Sequence, residues 1–244
     1  MSPSTGRVPP FGPFTRALSA AALWAFLAVT LPAQGGRVVC IDPGHGGDDA
    51  GVRGASAVEK DITLQMAERL RQILSYTTRL DVRLTRSADT AVPLVQRAAQ
   101  ANLARTGLLV SLQCAWSRRK EDRGFVVYYY RPSPAEESRT EVIRGMIDGR
   151  EIRLAPSAAA QLAWLQPSRR LAEIIQQRLG LVFQPFTGAP AAERLYLLSA
   201  LNCPAVAVEV CFLSNAEDEK DILTPRVQDE FCRRLADAIA DFMQ

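Results

Sequence analysis

The fold is decided at Arg37-Val-Val-Cys-Ile-Asp-Pro-Gly-His-Gly-Gly47, a β-branched run that ends in a glycine-rich turn. Such a run predicts a strand, because β-branched side chains pack well on a pleated sheet. Over residues 59–75, apolar side chains recur every three to four positions, at Ile62, Met66, Leu70, Ile73 and Leu74. This spacing predicts an amphipathic helix. The domain therefore opens with a strand, a turn and a helix.

The alternation of strand-like and helix-like segments continues to the C-terminus. Leu108–Leu112 is almost entirely apolar, which is typical of a strand covered on both faces in a parallel sheet. Helices are predicted from Pro93 to about residue 105, around residues 171–179, and from Thr224 onward. Further strands are predicted at residues 81–85, 124–130, 195–198 and 205–210. This order predicts one three-layer α/β domain over residues 37–244, with a mostly parallel six-stranded sheet and helices on both faces.

The first 33 residues have the composition of a secretory signal peptide. Arg7 and Arg16 precede an apolar run, Ala17–Leu31, and the small residue Ala33 follows near the expected cleavage point. The run is shorter than the roughly 20 residues that span a bilayer, so we expect no stable membrane anchor after cleavage. An uncleaved anchor and a core helix are the alternatives. Export predicts a periplasmic or cell-envelope location.

Residues 131–167 interrupt the alternation of strand-like and helix-like segments. They contain four prolines, an alanine-rich patch and an acidic cluster of Glu136, Glu137 and Glu141. We interpret this stretch as a partly helical insertion between a core strand and the next core helix.

Composition and cysteine usage exclude some functions. The net charge of +3 over 244 residues is too small to indicate nucleic acid as a partner. The five cysteines match no zinc-knuckle spacing. Free cysteines in apolar segments pack as small hydrophobic residues, which is the reading we favour, and a disulfide remains the alternative.

His45 is the single histidine of the chain and stands in the glycine-rich turn. A strand that ends in such a turn places the side chain at the carboxyl edge of the sheet, where open α/β sheets bind ligands. Glu59 opens the following helix, where the helix dipole favours an acid. Taken alone, both residues are equally compatible with structural roles.

A longer set of blocks, in order along the chain, identifies a family. The blocks are Asp42-Pro-Gly-His-Gly-Gly47, Glu59-Lys-Asp61, Leu84-Thr-Arg86, Arg97 with Ala101-Asn102, Val110-Ser-Leu112 and Pro204-Ala-Val-Ala-Val-Glu-Val-Cys-Phe-Leu-Ser-Asn215. Over residues 37–243, apart from the insertion, the chain resembles the zinc-dependent N-acetylmuramoyl-L-alanine amidases, which are bacterial cell-wall hydrolases. The resemblance implies a peptidoglycan muropeptide as the substrate.

The resemblance also implies the residues of the site. The zinc ligands of the family correspond to His45, Glu59 and the position of Gln113, where the family has a histidine. The catalytic glutamate corresponds to Glu209, which would act as general base for a zinc-activated water that cleaves the bond between N-acetylmuramic acid and L-alanine. An acid between Val208 and Val210 in a buried-looking strand supports such a role, because burial of an unpaired charge is unfavourable.

Gln113 is the departure from the family pattern. Its amide oxygen is neutral and hard, and suits calcium or magnesium better than zinc. One outcome is that zinc still binds through His45, Glu59, Gln113 and waters, with weak activity. Another is a substitute ligand from the insertion, since strand alternation turns Cys114 to the opposite face. The last is an inactive site in an amidase-fold protein that binds peptidoglycan or regulates other cell-wall enzymes. A hydrolase that uses a different metal at this site is a further alternative.

The insertion resembles, in position and acidity, an inserted helix that blocks the site in some members of the family until an activator removes it. A partner that acts on residues 131–167 is therefore one hypothesis. A surface excursion with a solvated charged face is the other.

Overall fold

The structure is a computed structural model that describes residues 37–132, 143–147, 150–154 and 158–244. Its strands are β1 (Val38–Pro43), β2 (Asp81–Leu84), β3 (Leu108–Ala115), β4 (Val126–Tyr130), β5 (Ile143–Ile147), β6 (Arg150–Leu154), β7 (Ala191–Glu193) and β8 (Ala205–Phe212). Its helices are α1 (Glu59–Thr77), α2 (Leu94–Leu103), α3 (Ala158–Gly180), α4 (Tyr196–Ser199), α5 (Ala216–Ile222) and α6 (Pro225–Phe242).

The main sheet has six strands in the order β2-β1-β3-β8-β4-β7. The pairs β2/β1, β1/β3 and β3/β8 are parallel, whereas β4 is antiparallel to β8 and β7 is parallel to β4. The predicted α/β domain with a mostly parallel six-stranded sheet is confirmed.

Helices cover both faces of this sheet. Leu70 of α1, Ile175 of α3 and Phe231 of α6 are fully buried in the larger core cluster on one face. On the other face, Ala98 of α2 and Leu198 of α4 pack in a second cluster. Full burial of one such large apolar side chain contributes about 1.5–3 kcal/mol. The two clusters explain why β1, β3 and β8 are apolar on both faces.

The carboxyl ends of β1, β3 and β8 meet at one edge of the sheet. The register pairs Pro43 of β1 with Leu112 of β3, and Gln113 of β3 with Glu209 of β8. The pairing shifts between Gln113 and Ala115, where the strand has a bulge or irregularity. This edge therefore brings together residues that are far apart in the sequence.

One predicted strand is wrong. Leu195–Leu198 does not form a strand, because Tyr196–Ser199 is a short helix and the strand lies earlier, at Ala191–Glu193. A run of four apolar residues has no period that separates a strand from a buried turn of helix. Leu197 and Leu198 are buried in the core, which accounts for their apolar character.

The insertion region contains an antiparallel hairpin of β5 and β6, and α3 begins within it at Ala158. Glu136, Glu137 and Glu141 lie outside the described residues, and so do residues 1–33 of the predicted signal peptide. Over the part of the chain that the structure describes, no helix has the length and apolar character needed to cross a membrane.

Candidate active site

The glycine-rich turn after β1 presents His45 in an unusual backbone conformation. His45 has a φ of 59°, and Gly46 and Gly47 have φ values of 126° and 62°. Residues with a Cβ adopt this left-handed region rarely, so the turn needs support from its surroundings. Arg97 supplies support by donating to the His45 carbonyl oxygen at 2.6 Å, and Gly46 N–H donates to the carbonyl of Asp49 at 2.9 Å.

The His45 imidazole lies between two carboxylates. Its Nδ1 is 2.8 Å from Asp49 Oδ2, and its Nε2 is 3.2 Å from Glu59 Oε2. The hydrogen bond to Glu59 raises the pKa of His45 to about 9, against the lowering effect of burial, and Asp49 adds to the rise. A carboxylate on the Nδ1 side fixes the ring orientation and leaves Nε2 directed at Glu59.

Glu59 is the first residue of α1 and is 1% exposed. Its Oε1 accepts the N–H of Cys114 at 2.7 Å, and its Oε2 accepts the N–H of Val52 at 2.8 Å. Both oxygens therefore have a backbone donor, which compensates for burial of the carboxylate. A Cβ on Gly51, whose φ is +65°, would lie 2.5 Å from Glu59 Oε2, so this approach requires glycine.

A polar network sets the orientation of the Gln113 side chain. The Ser111 hydroxyl donates its proton to Asp42 Oδ2 at 2.7 Å, which leaves the serine oxygen free to act as an acceptor. Gln113 Nε2 donates to this oxygen at 2.8 Å. Asp42 is fully buried and also accepts from Thr85 and Arg97. Because Nε2 of Gln113 is committed to Ser111, Oε1 is the end of the amide that remains for a ligand. The amide packs on Gly44, where an added Cβ would be 2.3 Å from Oε1.

Glu209 stands next to Gln113 in the β3/β8 register and is partly buried. Its Oε2 accepts a hydrogen bond from the Tyr128 hydroxyl at 3.1 Å. Burial raises the pKa of Glu209, and the charge of Glu59 raises it further, while the bond from Tyr128 lowers it. Burial and the carboxylate of Glu209 raise the pKa of Tyr128, so the phenol keeps its proton and donates the hydrogen bond.

The structure brings His45, Glu59, Gln113 and Glu209 to one cavity of about 740 Å³. Cys114 also lines this cavity, but it belongs to the core cluster on the α1 face, as strand alternation predicts. Among the described residues, no group of three or more His, Cys, Asp or Glu side chains gathers in a form that could hold a metal ion. The side chains of His45, Glu59, Gln113 and Glu209 therefore offer the cavity one imidazole, two carboxylates and one amide.

Part of the cavity lining is apolar. It is formed by residues 91–94, before and at the start of α2, and by residues 195–198 around α4. Leu94 and Tyr196 are 44% and 48% exposed at this wall. A substrate in this cavity would therefore meet both polar groups and apolar side chains.

Sequence reasoning missed two residues of the site, Asp49 and Tyr128. Asp49 stands four positions after His45, a spacing that the sequence shows but that does not predict contact outside a helix. Tyr128 lies in the run Tyr128-Tyr-Tyr130, and nothing in the run distinguishes the tyrosine that meets Glu209. Its contact depends on how β4 pairs with β8.

Comparison with known proteins agrees with this geometry. A family profile described as N-acetylmuramoyl-L-alanine amidase matches residues 39–241. The chain is 27% identical over 216 residues to N-acetylmuramoyl-L-alanine amidase AmiC of Escherichia coli O6:H1, which covers 82% of this chain and 52% of AmiC. The chain thus spans about half the length of this relative and of AmiC of Neisseria meningitidis serogroup B.

Solved structures share the fold. The N-acetylmuramoyl-L-alanine amidase of Clostridium difficile 630 has a TM-score of 0.68 at 24% identity, covering 85% of this chain and 97% of that one. The catalytic domain of CwlV, an N-acetylmuramoyl-L-alanine amidase of Bacillus (Paenibacillus) polymyxa var. colistinus, has a TM-score of 0.64 at 26% identity, covering 84% and 97%. The chain therefore belongs to the N-acetylmuramoyl-L-alanine amidase family.

Proposed function

We propose that this chain is a peptidoglycan hydrolase that cleaves the amide bond between N-acetylmuramic acid and L-alanine. Glu209 is the general base, and His45, Glu59 and Gln113 hold one Zn²⁺. The observation that carries the proposal is the meeting of these four side chains at one cavity, with His45 Nε2 at 3.2 Å from Glu59 Oε2. Membership of the family supports the choice of substrate.

The fit of a zinc ion can be tested on the donors themselves. Two ligands of a tetrahedral Zn²⁺, each about 2.1 Å from the ion, lie about 3.4 Å apart. The 3.2 Å between His45 Nε2 and Glu59 Oε2 is close to this separation. The carboxylate of Asp49 on the far side of the imidazole is the kind of partner that orients a metal-binding histidine. Gln113 Oε1 completes the set as a weaker donor than the imidazole that the family has there.

In hydrolysis, the metal-binding residues and Glu209 have separate roles. When bound, the cation supplies Lewis acidity toward the scissile carbonyl and the attacking water. Glu209 takes a proton from this water while the water oxygen forms a bond to the carbonyl carbon. As the bond from that carbon to the alanine nitrogen breaks, Glu209 passes the proton to the leaving amine. Glu209 therefore ends the reaction in the state in which it began.

The second candidate function is non-catalytic. An amidase-fold protein that binds peptidoglycan, or regulates other cell-wall enzymes, would need the groove but no metal. Gln113 favours this candidate, because the three protein ligands of a catalytic zinc site are typically His, Cys, Asp or Glu, and the described residues hold no group of three such side chains. A hydrolase that uses a harder cation through Gln113 Oε1 is the remaining variant.

The proposed location is the periplasm or cell envelope, where peptidoglycan lies. It depends on residues 1–33 acting as a signal peptide. An activator that acts on residues 131–167 remains a hypothesis. Its first test is whether the purified chain works without any partner.

Release of muropeptides from purified sacculi separates the candidates. The proposal expects chelator-sensitive release by the wild type and none by Glu209→Gln. Gln113→His is expected to raise zinc affinity at least about 10-fold, because even a lost supporting contact typically changes metal affinity by 10- to 100-fold. The matched control is Gln72→His on the exposed side of α1, which adds a histidine away from the cavity.

The outcomes are distinct. An inert wild type that Gln113→His activates would identify the binding or regulatory candidate. Activity restored to chelated protein by Mg²⁺ or Ca²⁺, but not by Zn²⁺, would identify the harder cation. Undiminished release by Glu209→Gln would contradict the mechanism.

A further inference from the structure

Tyr128 makes a contact to the site that the mechanism has not used. Its hydroxyl donates to Glu209 Oε2 at 3.1 Å. In the antiparallel β4/β8 pair, Val126 lies opposite Glu209 and Tyr128 lies opposite Ala207. Tyr128 is therefore the diagonal neighbour of Glu209 on the same face of the sheet, within reach of a long aromatic side chain.

Few partners hold the Glu209 carboxylate among the residues that the structure describes. Among contacts between described residues, the bond from Tyr128 is the one hydrogen bond that the Glu209 side chain makes. Its neighbours along β8, Val208 and Val210, are buried in the apolar core. A partly buried carboxylate with free side-chain torsions would otherwise sample several orientations.

We propose that Tyr128 is a positioning residue that holds Oε2 of Glu209 and leaves Oε1 as the atom that receives the proton of the attacking water. This inference rests on the proposed function. Because Tyr128 does not line the cavity, it acts through Glu209 and not on the substrate. The proton moves from water to Oε1 and then to the leaving amine, and the tyrosine proton stays on its oxygen throughout.

The sequence provides a matched control. Tyr129 follows Tyr128 in β4, turns to the opposite face and packs against the larger core cluster. Tyr129→Phe removes a hydroxyl from the same strand without touching Glu209. Any effect that Tyr128→Phe shares with Tyr129→Phe is therefore an effect on stability or packing.

The test is steady-state hydrolysis of a soluble muramyl dipeptide by the wild type and both variants, with zinc content and unfolding temperature measured on each. We expect Tyr128→Phe to lower kcat about 10-fold with KM within about 2-fold, because loss of orientation affects the reacting geometry and not ground-state binding. Tyr129→Phe is expected to match the wild type.

Equal kcat values for Tyr128→Phe and Tyr129→Phe would overturn the inference while leaving the proposed function in place. An inert wild type would remove the proposed function, and the inference with it.

Discussion

Glu219 holds the loop that leads from the glycine-rich turn to Glu59, and its replacement by glutamine is expected to destabilise the fold by about 3 kcal/mol. The carboxylate of Glu219, 5% exposed, accepts the backbone N–H groups of Ala55, Ser56 and Ala57 at 3.0, 2.7 and 2.7 Å. The same loop contains Val52, whose N–H donates to Glu59 Oε2. The contact therefore stabilises the backbone beside the proposed metal ligands.

The magnitude follows from the division of donors between the two oxygens. Oε1 of Glu219 accepts from the N–H groups of Ser56 and Ala57 and, at 3.3 Å, from the Ser56 hydroxyl, and Oε2 accepts from the N–H of Ala55. The amide oxygen of a glutamine can take the place of Oε1, but its NH₂ group then takes the place of Oε2 and faces the N–H of Ala55. A buried donor left without an acceptor costs about 1–3 kcal/mol. The hydrogen bonds from the N–H groups of Ser56 and Ala57 remain but lose their charged acceptor, which weakens each by about 0.5–1 kcal/mol.

The destabilisation is expected to depend on pH. Burial raises the pKa of Glu219, but the backbone N–H bonds from residues 55–57 outweigh it and lower the pKa below the ordinary 4.5. A group with a depressed folded-state pKa stabilises the protein fully above its unfolded pKa, and this contribution is lost as the pH falls through the folded pKa. The difference in unfolding free energy between wild type and Glu219→Gln is therefore largest near neutral pH and shrinks below about pH 4.5.

Urea unfolding of both proteins from pH 7 into the acid range measures this difference. The control is Glu217→Gln, an exposed acid in the same first turn of α5, which removes an equal charge from the helix dipole. If Glu219→Gln unfolds within about 0.5 kcal/mol of Glu217→Gln, the hydrogen-bond reasoning is wrong. A difference that stays constant in acid would refute the assignment to the charged carboxylate.

Two further predictions concern buried groups. Arg97→Lys is expected to lower the free energy of unfolding, measured in urea, by about 2–3 kcal/mol. A lysine cannot reproduce the hydrogen bonds that the guanidinium donates to Asp42 and to the carbonyls of Val92 and His45. An effect equal to that of Arg105→Lys, at an exposed position, would contradict this reasoning. All five cysteines are buried and free, so the folded protein is expected to react with a thiol reagent only after denaturation; rapid reaction of the native protein would contradict their placement.

Much of the fold could be predicted because its signals are local. The apolar run at Leu108–Leu112 and the three-to-four spacing in residues 59–75 each follow from the face that the element buries. Parallel strands also have a common carboxyl edge, which is why His45, Gln113 and Glu209 could be expected to meet. Their chemical roles remain predictions.

The errors and omissions have non-local causes. Leu197 and Leu198 are apolar because they are buried in the core as part of α4, and four residues are too few to show a helical period. The helix α5 was not predicted, and it is only seven residues long and begins at the Asn215 cap. Its role in holding residues 55–57 depends on a contact across more than 160 positions of the chain.

The chain's own pattern is sufficient for the family and for most of the strand and helix order, because these are properties of residue type and spacing. The direction of the Gln113 amide and the choice of Tyr128 as the partner of Glu209 exist only in the folded molecule. Both depend on strand register and on donors supplied by distant segments, and a hydrogen bond forms only where folding brings a donor within about 3 Å of its acceptor.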